Sequence, residues 1–351
     1  MRSTRWGWNT GSTIARHRRG LPRDTFRAFR IDQKDGAIEA GLVTLGLDDL
    51  TEGDVVIRVS HSTINYKDAL AATGKGRILR RFPLVGGIDL AGRVVSSADD
   101  RFEPGQAVLV NGCGLGETRD GGYAAYARVD GDAVVPIPEG LTPFEAMQIG
   151  TAGYTAALAV HRMEQNGQTP AAGPVVFTGA TGGVGSIALD LLDARGYEAV
   201  AVTGKADRAE YLESIGARRV LLRGEVDLGN RPLEKAQWAG AIDNLGGELL
   251  TWLTRTTGYG GNIASVGLAA SVALETTVLP FILRAVCLLG INSVDTPRDL
   301  RLAVWQRLAG DLRPRHLDRI AGRTVSLDEL PGCFRQYIDG SVTGRVVVEI
   351  P

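Results

Sequence analysis

The sequence contains very little cysteine. Cys113, Cys287 and Cys333 stand far apart in a chain of 351 residues. An odd, sparse count argues against a disulfide framework and is typical of a reducing compartment, so we expect a cytoplasmic protein. The count also excludes a structural zinc lobe built on four cysteines. The histidines beyond the N-terminal segment stand singly, which favours ordinary surface or core positions over metal ligation.

Long apolar runs and an excess of charge are also missing. The formal net charge is −1, so nothing in the composition indicates a nucleic-acid or anionic-membrane partner. The longest apolar stretch, residues 278–289, is interrupted by Pro280 and Arg284 and is too short to span a membrane. We therefore expect a small-molecule substrate, with no nucleic acid and no membrane.

The first 24 residues differ from the rest of the chain. Residues 1–20 carry five arginines and no Asp or Glu. They lack the apolar core of a secretory signal, and their amphipathic pattern is poor for a mitochondrial presequence. A disordered N-terminal extension over 1–24 is the simpler interpretation.

Short strands separated by Gly and Pro follow this extension. The strand candidates are residues 26–32, 54–60, 92–96, 107–111 and 124–129. Many short strands with such turns predict a small barrel-like β domain over residues 25–142. It ends at a proline-rich crossing point, residues 136–142.

From Pro143 onward the pattern alternates between helix and strand. A helix is predicted over 143–163, with an interruption at 150–153. The later elements are strands 175–178, 198–202, 219–222, 240–244, 261–266 and 286–291, with helices 184–195, 206–216 and 296–312. Such alternation predicts an α/β domain with a doubly wound parallel sheet, residues 143–292. A closing strand, 343–350, has no evident partner there, so we expect residues 293–351 to return to the β domain.

A glycine-rich turn joins the strand at 175–178 to the helix that follows. Its glycines fall at 179, 182, 183 and 185, which is not the strict G-x-G-x-x-G spacing, so an ordinary strand–helix connection stays open. Glycines let the backbone turn tightly and approach a pyrophosphate, whose charge suits the free N–H groups of a helix start. We interpret the turn as a dinucleotide phosphate site.

The residues after the next strand select the cofactor. Thr203, Gly204 and Lys205 lie about twenty residues beyond the last glycine, where a dinucleotide fold meets the adenosine ribose. An NAD site usually has Asp or Glu there. A hydroxyl and a cation suit a 2′-phosphate instead, so the sequence predicts NADP(H).

Seven further stretches resemble one known family. They are residues 64–70 (INYKDAL), 73–76 (TGKG), 82–89 (FPLVGGID), 149–156 (IGTAGYTA), 231–235 (RPLEK), 238–243 (WAGAID) and 276–284 (TTVLPFILR). Together they resemble the medium-chain dehydrogenase/reductase superfamily, and within it the zinc-free, quinone-oxidoreductase-like acryloyl-CoA reductase branch. The resemblance implies a GroES-like β-barrel domain joined to a Rossmann domain, and a homodimer.

Two departures bear on the chemistry. The branch usually reads Pro-Gly-Ile-Asp where this chain has Gly86-Gly87-Ile88-Asp89. Zinc-dependent relatives carry Gly-His-Glu at that place, and this chain supplies no histidine there. The resemblance and the cysteine count both indicate an enzyme without zinc.

The resemblance also assigns site residues by position. The pyrophosphate contacts would be Thr181, Gly182, Gly183 and Val184. The 2′-phosphate contacts would be Thr203, Gly204, Lys205 and Arg223. The nicotinamide side would be lined by Leu268, Ile282 and Ser293, and Tyr66 would reach the nicotinamide ribose. Lys205 stands where many relatives have Arg. We therefore expect it to contact the 2′-phosphate as a single point charge and not through the paired N–H groups of a guanidinium.

The implied reaction is NADPH-dependent reduction of acryloyl-CoA or a similar short 2-enoyl-CoA. It needs hydride at the β-carbon, a stabilised enolate oxygen and a proton at the α-carbon. Asn65, Tyr66 and Lys67 cluster as hydrogen-bond donors, so Asn65 and Tyr66 are the catalytic candidates, with a solvent proton equally compatible. Lys67 and Asp68 could instead be only a local ion pair.

Alternatives remain open at this stage. An NADPH:quinone or 2-alkenal reductase would use the same scaffold, and an NADPH-binding sensor would not catalyse at all. Four arginines, Arg301, Arg307, Arg313 and Arg315, could receive CoA phosphates, although a solvated helix face is the preferred interpretation. Residues 278–291 could form a dimer edge or the last buried strand.

Overall fold

The computed structural model describes residues 25–351. The predicted N-terminal extension, residues 1–24, lies outside the described residues.

The first half of the chain forms two antiparallel β-sheets. Its elements are β1 Phe26–Lys34, β2 Ala37–Leu45, β3 Val55–Ile64, α1 Tyr66–Thr73, β4 Leu84–Val85, β5 Asp89–Ser97, β6 Ala107–Asn111, β7 Tyr126–Val129 and β8 Val135–Pro136. One sheet has the order β2-β1-β4, and β3, β5, β6 and β8 are consecutive in the other. Their inward-facing side chains, among them Phe29, Ile57 and Leu90, form one apolar core. The predicted β domain is confirmed.

A long helix, α2 Pro143–Gln165, leaves this domain and enters the second. It begins with a capping box, in which the Thr142 hydroxyl accepts from the Glu145 N–H. Gly150 interrupts it with φ 49° and ψ −161°, a conformation that essentially only glycine adopts. The predicted interruption is therefore present, and it turns the chain beside Asp89.

The second half builds a six-stranded parallel sheet. Its elements are β9 Val175–Thr178, α3 Gly183–Ala194, β10 Ala199–Thr203, α4 Ala209–Ser214, β11 Arg219–Leu222, β12 Trp238–Asp243, α5 Gly247–Thr256, β13 Thr257–Ser265, α6 Leu279–Arg284 and β14 Cys287–Gly290. The strand order is β11-β10-β9-β12-β13-β14. This is the doubly wound order of a Rossmann domain, so the predicted fold class is confirmed.

The last stretch of the chain serves both domains. It comprises α7 Arg298–Ala309, α8 Leu317–Ile320, β15 Arg323–Val325, α9 Leu330–Ile338 and β16 Val346–Glu349. In α7, Trp305 stacks on Tyr154 of α2. Strand β16 pairs antiparallel with β3, Val346 opposite Ile64, and returns the chain to the β domain as expected. The domain limits at 142 and 292 stay a prediction.

No helix within residues 25–351 is long and apolar enough to cross a membrane.

Candidate active site

The glycine turn joins β9 tightly to α3. Gly179 has φ 62°, and a Cβ on Gly185 would lie 2.7 Å from the Ala180 Cα and from the Gly179 carbonyl oxygen. Glycine is therefore required for the helix to approach the strand so closely. The N–H groups in the first turn of α3 have no acceptor within the helix, and they are available for an anion.

A C-terminal loop, residues 342–345, crosses this turn. The Gly344 N–H donates to the Thr181 carbonyl at 2.9 Å. The Arg345 side chain lies so close to Gly183 that a Cβ there would be 3.0 Å from the Arg345 Cγ. The Thr343 hydroxyl oxygen is buried without a hydrogen-bond partner in the described part of the chain. This loop was not among the predicted site residues; its one signal in the sequence is the Gly-Arg pair before a valine-rich strand.

The expected 2′-phosphate residues gather at the ends of β10 and β11. The Thr203 hydroxyl accepts from the Lys205 backbone N–H at 3.0 Å. The Lys205 Nζ donates to the Val342 carbonyl at 2.7 Å, and burial, followed by the nearby Arg208, lowers its pKa. Arg223 is exposed, and a Cβ on Gly204 would lie 3.7 Å from its guanidinium carbon. The structure brings these residues together.

Two of the three expected nicotinamide residues lie at the other end of the same sheet edge. Leu268 and Ser293 follow β13 and β14, whereas Ile282 belongs to α6. Leu268 and Ile282 are strongly exposed, at 64% and 69%. Four strand spacings separate β10 from β14, about 19 Å. The 2′-phosphate residues together with Leu268 and Ser293 thus mark an extended path along the carboxyl edge of the sheet, where doubly wound folds bind ligands. Ile282 lies apart from this path, because Arg284 at the end of α6 donates to the Arg255 and Thr257 carbonyls at the amino end of β13.

Two polar residues at the centre of this path were not among the predicted site residues. The buried Asp243 carboxylate accepts from the Thr178 hydroxyl at 2.6 Å, and burial raises its pKa. The Asn244 side-chain N–H donates to the Thr178 carbonyl at 2.8 Å. Both end β12, where the strand order reverses between β9 and β12. A polar pair that closes an apolar strand was the available signal.

Asn65 and Tyr66 stand at the start of α1 in the β domain. Asn65 is the N-cap of α1, and its side-chain amide donates to Asp89 at 2.7 Å and more weakly to Asp68 at 3.3 Å. The first helical residue, Tyr66, is 43% exposed. Its hydroxyl makes no hydrogen bond within residues 25–351. Tyr66 therefore offers a free donor, whereas the Asn65 amide is already engaged.

A buried network connects α1 with the glycine turn. Asp89, fully buried, accepts from the Thr151 N–H at 3.0 Å and from its hydroxyl at 2.6 Å. The Arg345 guanidinium lies 4.0 Å from Asp89 and donates to the Gln148 carbonyl and to the Thr63 hydroxyl. Arg345 also lies against Gly183. The network therefore connects the start of α1, where Asn65 and Tyr66 stand, to the phosphate turn.

Asp68 stabilises the start of α1 from within the barrel. Its carboxylate accepts from the Asn65 and Ile88 backbone N–H groups at 2.8 and 3.0 Å. Burial, with a contribution from nearby Asp89, raises the pKa of Asp68 to about 7. Lys67 pairs with Glu117 at 2.8 Å, so the alternative of a local Lys67–Asp68 pair is wrong.

The four arginines considered for CoA phosphates do not form a rim. Arg301 is buried, and its guanidinium donates to the carbonyls of Asn111, Ser293 and Val294. The others are held by carboxylates, in the pairs Arg307–Asp311, Arg313–Glu145 and Arg315–Asp193. These charges stabilise the fold locally.

Two family profiles match the chain. The alcohol dehydrogenase GroES-like domain matches residues 51–139, and the zinc-binding dehydrogenase domain matches residues 183–309. Among residues 25–351, no group of three or more His, Cys, Asp or Glu side chains is placed to hold a metal ion.

Curated relatives decide the family. The chain is 48% identical to the probable acrylyl-CoA reductase AcuI of Escherichia coli, over 92% of this chain and 99% of the relative. It is 47% identical to the putative quinone oxidoreductase YhfP of Bacillus subtilis, over 93% of this chain and 99% of the relative. The chain belongs to the medium-chain dehydrogenase/reductase superfamily. Within this superfamily its place is among the quinone-oxidoreductase-like and acrylyl-CoA reductase proteins, which confirms the resemblance.

Solved structures of this superfamily superpose closely. The yhdH oxidoreductase of Salmonella enterica in complex with NADP has a TM-score of 0.90 and 46% identity, covering 93% of this chain and all of that chain. The yhfP protein of Bacillus subtilis with NAD bound also has a TM-score of 0.90, at 47% identity, covering 93% and 99%. Close relatives have thus been solved with either nicotinamide cofactor.

Proposed function

We propose that this protein uses NADPH to reduce the carbon–carbon double bond of acryloyl-CoA or a similar short 2-enoyl-CoA. The observations that carry the proposal are the exposed phenol of Tyr66 and the network that links its neighbour Asn65, through Asp89 and Arg345, to the phosphate turn. The names of the AcuI relatives support the substrate class.

The residues present fit NADPH. Thr181, Gly182, Gly183 and Val184 offer a glycine turn and free N–H groups to the pyrophosphate, and the unpartnered Thr343 hydroxyl lies beside them. Thr203, Gly204, Lys205 and Arg223 offer two cations and no carboxylate to a 2′-phosphate. Leu268 and Ser293 would then lie toward the nicotinamide. The carboxylate typical of NAD recognition is missing, which favours NADPH.

When bound, NADPH supplies the hydride that the β-carbon accepts. The Tyr66 hydroxyl donates to the thioester oxygen or holds the proton destined for the α-carbon. Asn65 serves as a positioning residue, because both of its amide hydrogens go to Asp68 and Asp89. Tyr66 is therefore the residue that we assign to hydrogen-bond donation and proton supply to the substrate.

The same proposal includes a homodimer formed along β14. This strand is the last of the sheet and lies at its edge, and its residues alternate between half-buried and exposed, so it is not the buried last strand that the sequence left open. Around it, the exposed apolar side chains are Val278, Ile282, Leu283 and Leu288. An unpaired edge beside an exposed apolar patch is typical of a protein–protein interface. A second copy would pair with that edge and cover the patch.

We also propose that the protein works in the cytoplasm. Cys113, Cys287 and Cys333 are all free thiols in the structure, which suits a reducing compartment.

A substrate panel tests the function. Oxidation of NADPH would be followed with acryloyl-CoA, crotonyl-CoA and a soluble quinone, and each reaction would be repeated with NADH. We expect the highest kcat/KM for acryloyl-CoA with NADPH. A preference for the quinone, the activity that the name YhfP carries, would contradict the thioester assignment. Binding of NADPH without any turnover would indicate a sensor.

A further inference from the structure

A cluster of unpaired cations follows α1. Residues 74–81, here called the basic loop, contain Lys75, Arg77, Arg80 and Arg81, all exposed. No Asp or Glu occurs between residues 69 and 88. None of the four side chains makes an ion pair or a hydrogen bond within residues 25–351, although most arginines elsewhere in the described chain do. The basic loop therefore presents uncompensated positive charge.

The basic loop is nevertheless firmly packed. Gly74 ends α1 with φ 70°, and the Gly76 N–H donates to the Leu70 carbonyl at 3.3 Å. Leu79 is buried in the β-domain core, and the Arg80 N–H donates to the Glu117 carbonyl at 2.8 Å. The backbone of the basic loop is thus held in place, and it presents four exposed cations from a segment of eight residues that contains no carboxylate.

The basic loop lies near the proposed reaction site. Helix α1 starts at Tyr66 and ends at Thr73, a length of about 12 Å. The loop then comes back toward the helix start, because Arg80 contacts Glu117, whose carboxylate pairs with Lys67. That carboxylate is already occupied, so it is not a partner for the loop cations.

We propose that the basic loop binds the 3′-phosphate and pyrophosphate of the CoA portion of the substrate. This inference rests on the proposed function, because it assumes a CoA thioester whose acyl end reaches Tyr66. Several phosphates on one ligand match several fixed cations, and arginines bind phosphate oxygens through paired N–H groups. The loop thereby fills the role that the helix arginines at 301–315 do not.

Binding of free CoA tests the loop without relying on turnover. Titration calorimetry is performed with saturating NADP⁺, so that CoA cannot occupy the cofactor site. For the variant R80Q/R81Q we expect CoA to bind about tenfold or more weakly, because charge-assisted hydrogen bonds are lost. The matched control R162Q/K235Q removes two exposed cations that lie away from the basic loop, near the end of α2 and just before β12. This variant should bind CoA like the wild type. Equal CoA affinity in R80Q/R81Q and wild type would overturn the proposal.

Kinetics with two thioesters separates the loop from the reaction. Acryloyl-CoA carries the phosphates, whereas the acryloyl thioester of N-acetylcysteamine does not. R80Q/R81Q should raise KM for acryloyl-CoA only, with kcat, the rate on the short thioester and KM for NADPH unchanged. Equal losses on both thioesters would contradict the proposal. If the wild type reduced neither thioester, the proposed function would fail, and the calorimetry would still decide whether the loop binds CoA.

Discussion

The side-chain amide of Asn65 donates a hydrogen bond of 2.7 Å to the buried carboxylate of Asp89. The same carboxylate accepts from Thr151 at the kink of α2 and lies 4.0 Å from the Arg345 guanidinium. One buried anion thus connects the start of α1, the helix that crosses between the domains, and the loop over the phosphate turn. We expect this connection to fix the position of α1, on the proposed substrate side, relative to the phosphate turn that receives the cofactor.

Replacement of Asp89 tests that role. In Asp89→Asn the buried Arg345 loses its nearest carboxylate, so we expect the free energy of unfolding to fall by roughly 3–5 kcal/mol. Urea unfolding followed by circular dichroism measures the change. The control Asp328→Asn removes a carboxylate from an exposed pair with Arg27 and should have no measurable effect. Equal stability of the Asp89 variant and wild type would show that the network is not structural.

Tyr66→Phe removes a hydroxyl that makes no hydrogen bond within residues 25–351 and keeps the ring. We expect kcat for acryloyl-CoA to fall about 100-fold, the lower end of what a positioned acid contributes, with little change in KM for NADPH. Stopped-flow measurement of NADPH oxidation follows it. The control Tyr259→Phe alters an exposed ring at the far side of the sheet. A fall in kcat no larger than the control's would mean that solvent supplies both proton and polarisation.

The cations near Gly204 should decide cofactor preference. The double variant Lys205→Gln with Arg223→Gln loses the charges that face a 2′-phosphate, so we expect KM for NADPH to rise tenfold or more, roughly the value of one charged hydrogen bond. KM for NADH should not change, because NADH lacks the phosphate. Arg208→Gln, an exposed cation on the adjacent turn, is the control. A parallel rise for both cofactors would contradict the 2′-phosphate assignment.

Asp68 makes stability depend on pH near neutrality. Its pKa in the folded protein, about 7, is above the ordinary Asp value of 3.8. Between these values the folded state holds a proton that the unfolded state has lost, so the free energy of unfolding decreases with rising pH, by up to about 1.4 kcal/mol per pH unit. Asp68→Asn should lack this slope when urea unfolding is compared between pH 4 and 7. An identical slope in both proteins would assign the dependence to other groups.

The sheet edge at β14 should control assembly. Leu288→Lys places a charge on the exposed edge strand, and we expect analytical ultracentrifugation to show monomer where the wild type shows dimer. Tyr259→Lys changes a more exposed residue near the amino end of β13, before the stretch that pairs with β14, and should leave the dimer intact. A monomeric wild type would contradict the proposed homodimer directly.

Much of the fold could be predicted because local patterns agreed with tertiary packing. Strands 175–178 and 219–222 were predicted at their observed limits, since short β-branched runs bounded by turns leave little ambiguity. Helices α1, α5, α6, α8 and α9 were not predicted. In α5 the sequence GELLTWLTRT contains three threonines and a glycine, which have low helix propensity. Burial of its leucines and tryptophan against the sheet outweighs that low propensity.

The site was predictable only where one short segment carries it. The glycine turn and Thr203-Gly204-Lys205 are each short, continuous segments whose residue types alone indicate phosphate binding. The network of Asn65, Asp89 and Arg345 unites residues up to 280 positions apart, so no spacing rule reveals it. Arg345 directly precedes a run of three valines, which indicates only a buried strand. Its position against the phosphate turn follows from the tertiary fold alone.

The most direct test of the account is the product of a single reaction mixture. The wild type, acryloyl-CoA and NADPH are incubated together, and mass spectrometry measures propionyl-CoA while absorbance measures the NADPH consumed. We expect one propionyl-CoA for each NADPH oxidised. NADPH consumption without the saturated thioester, or no consumption unless a quinone is added, would contradict it.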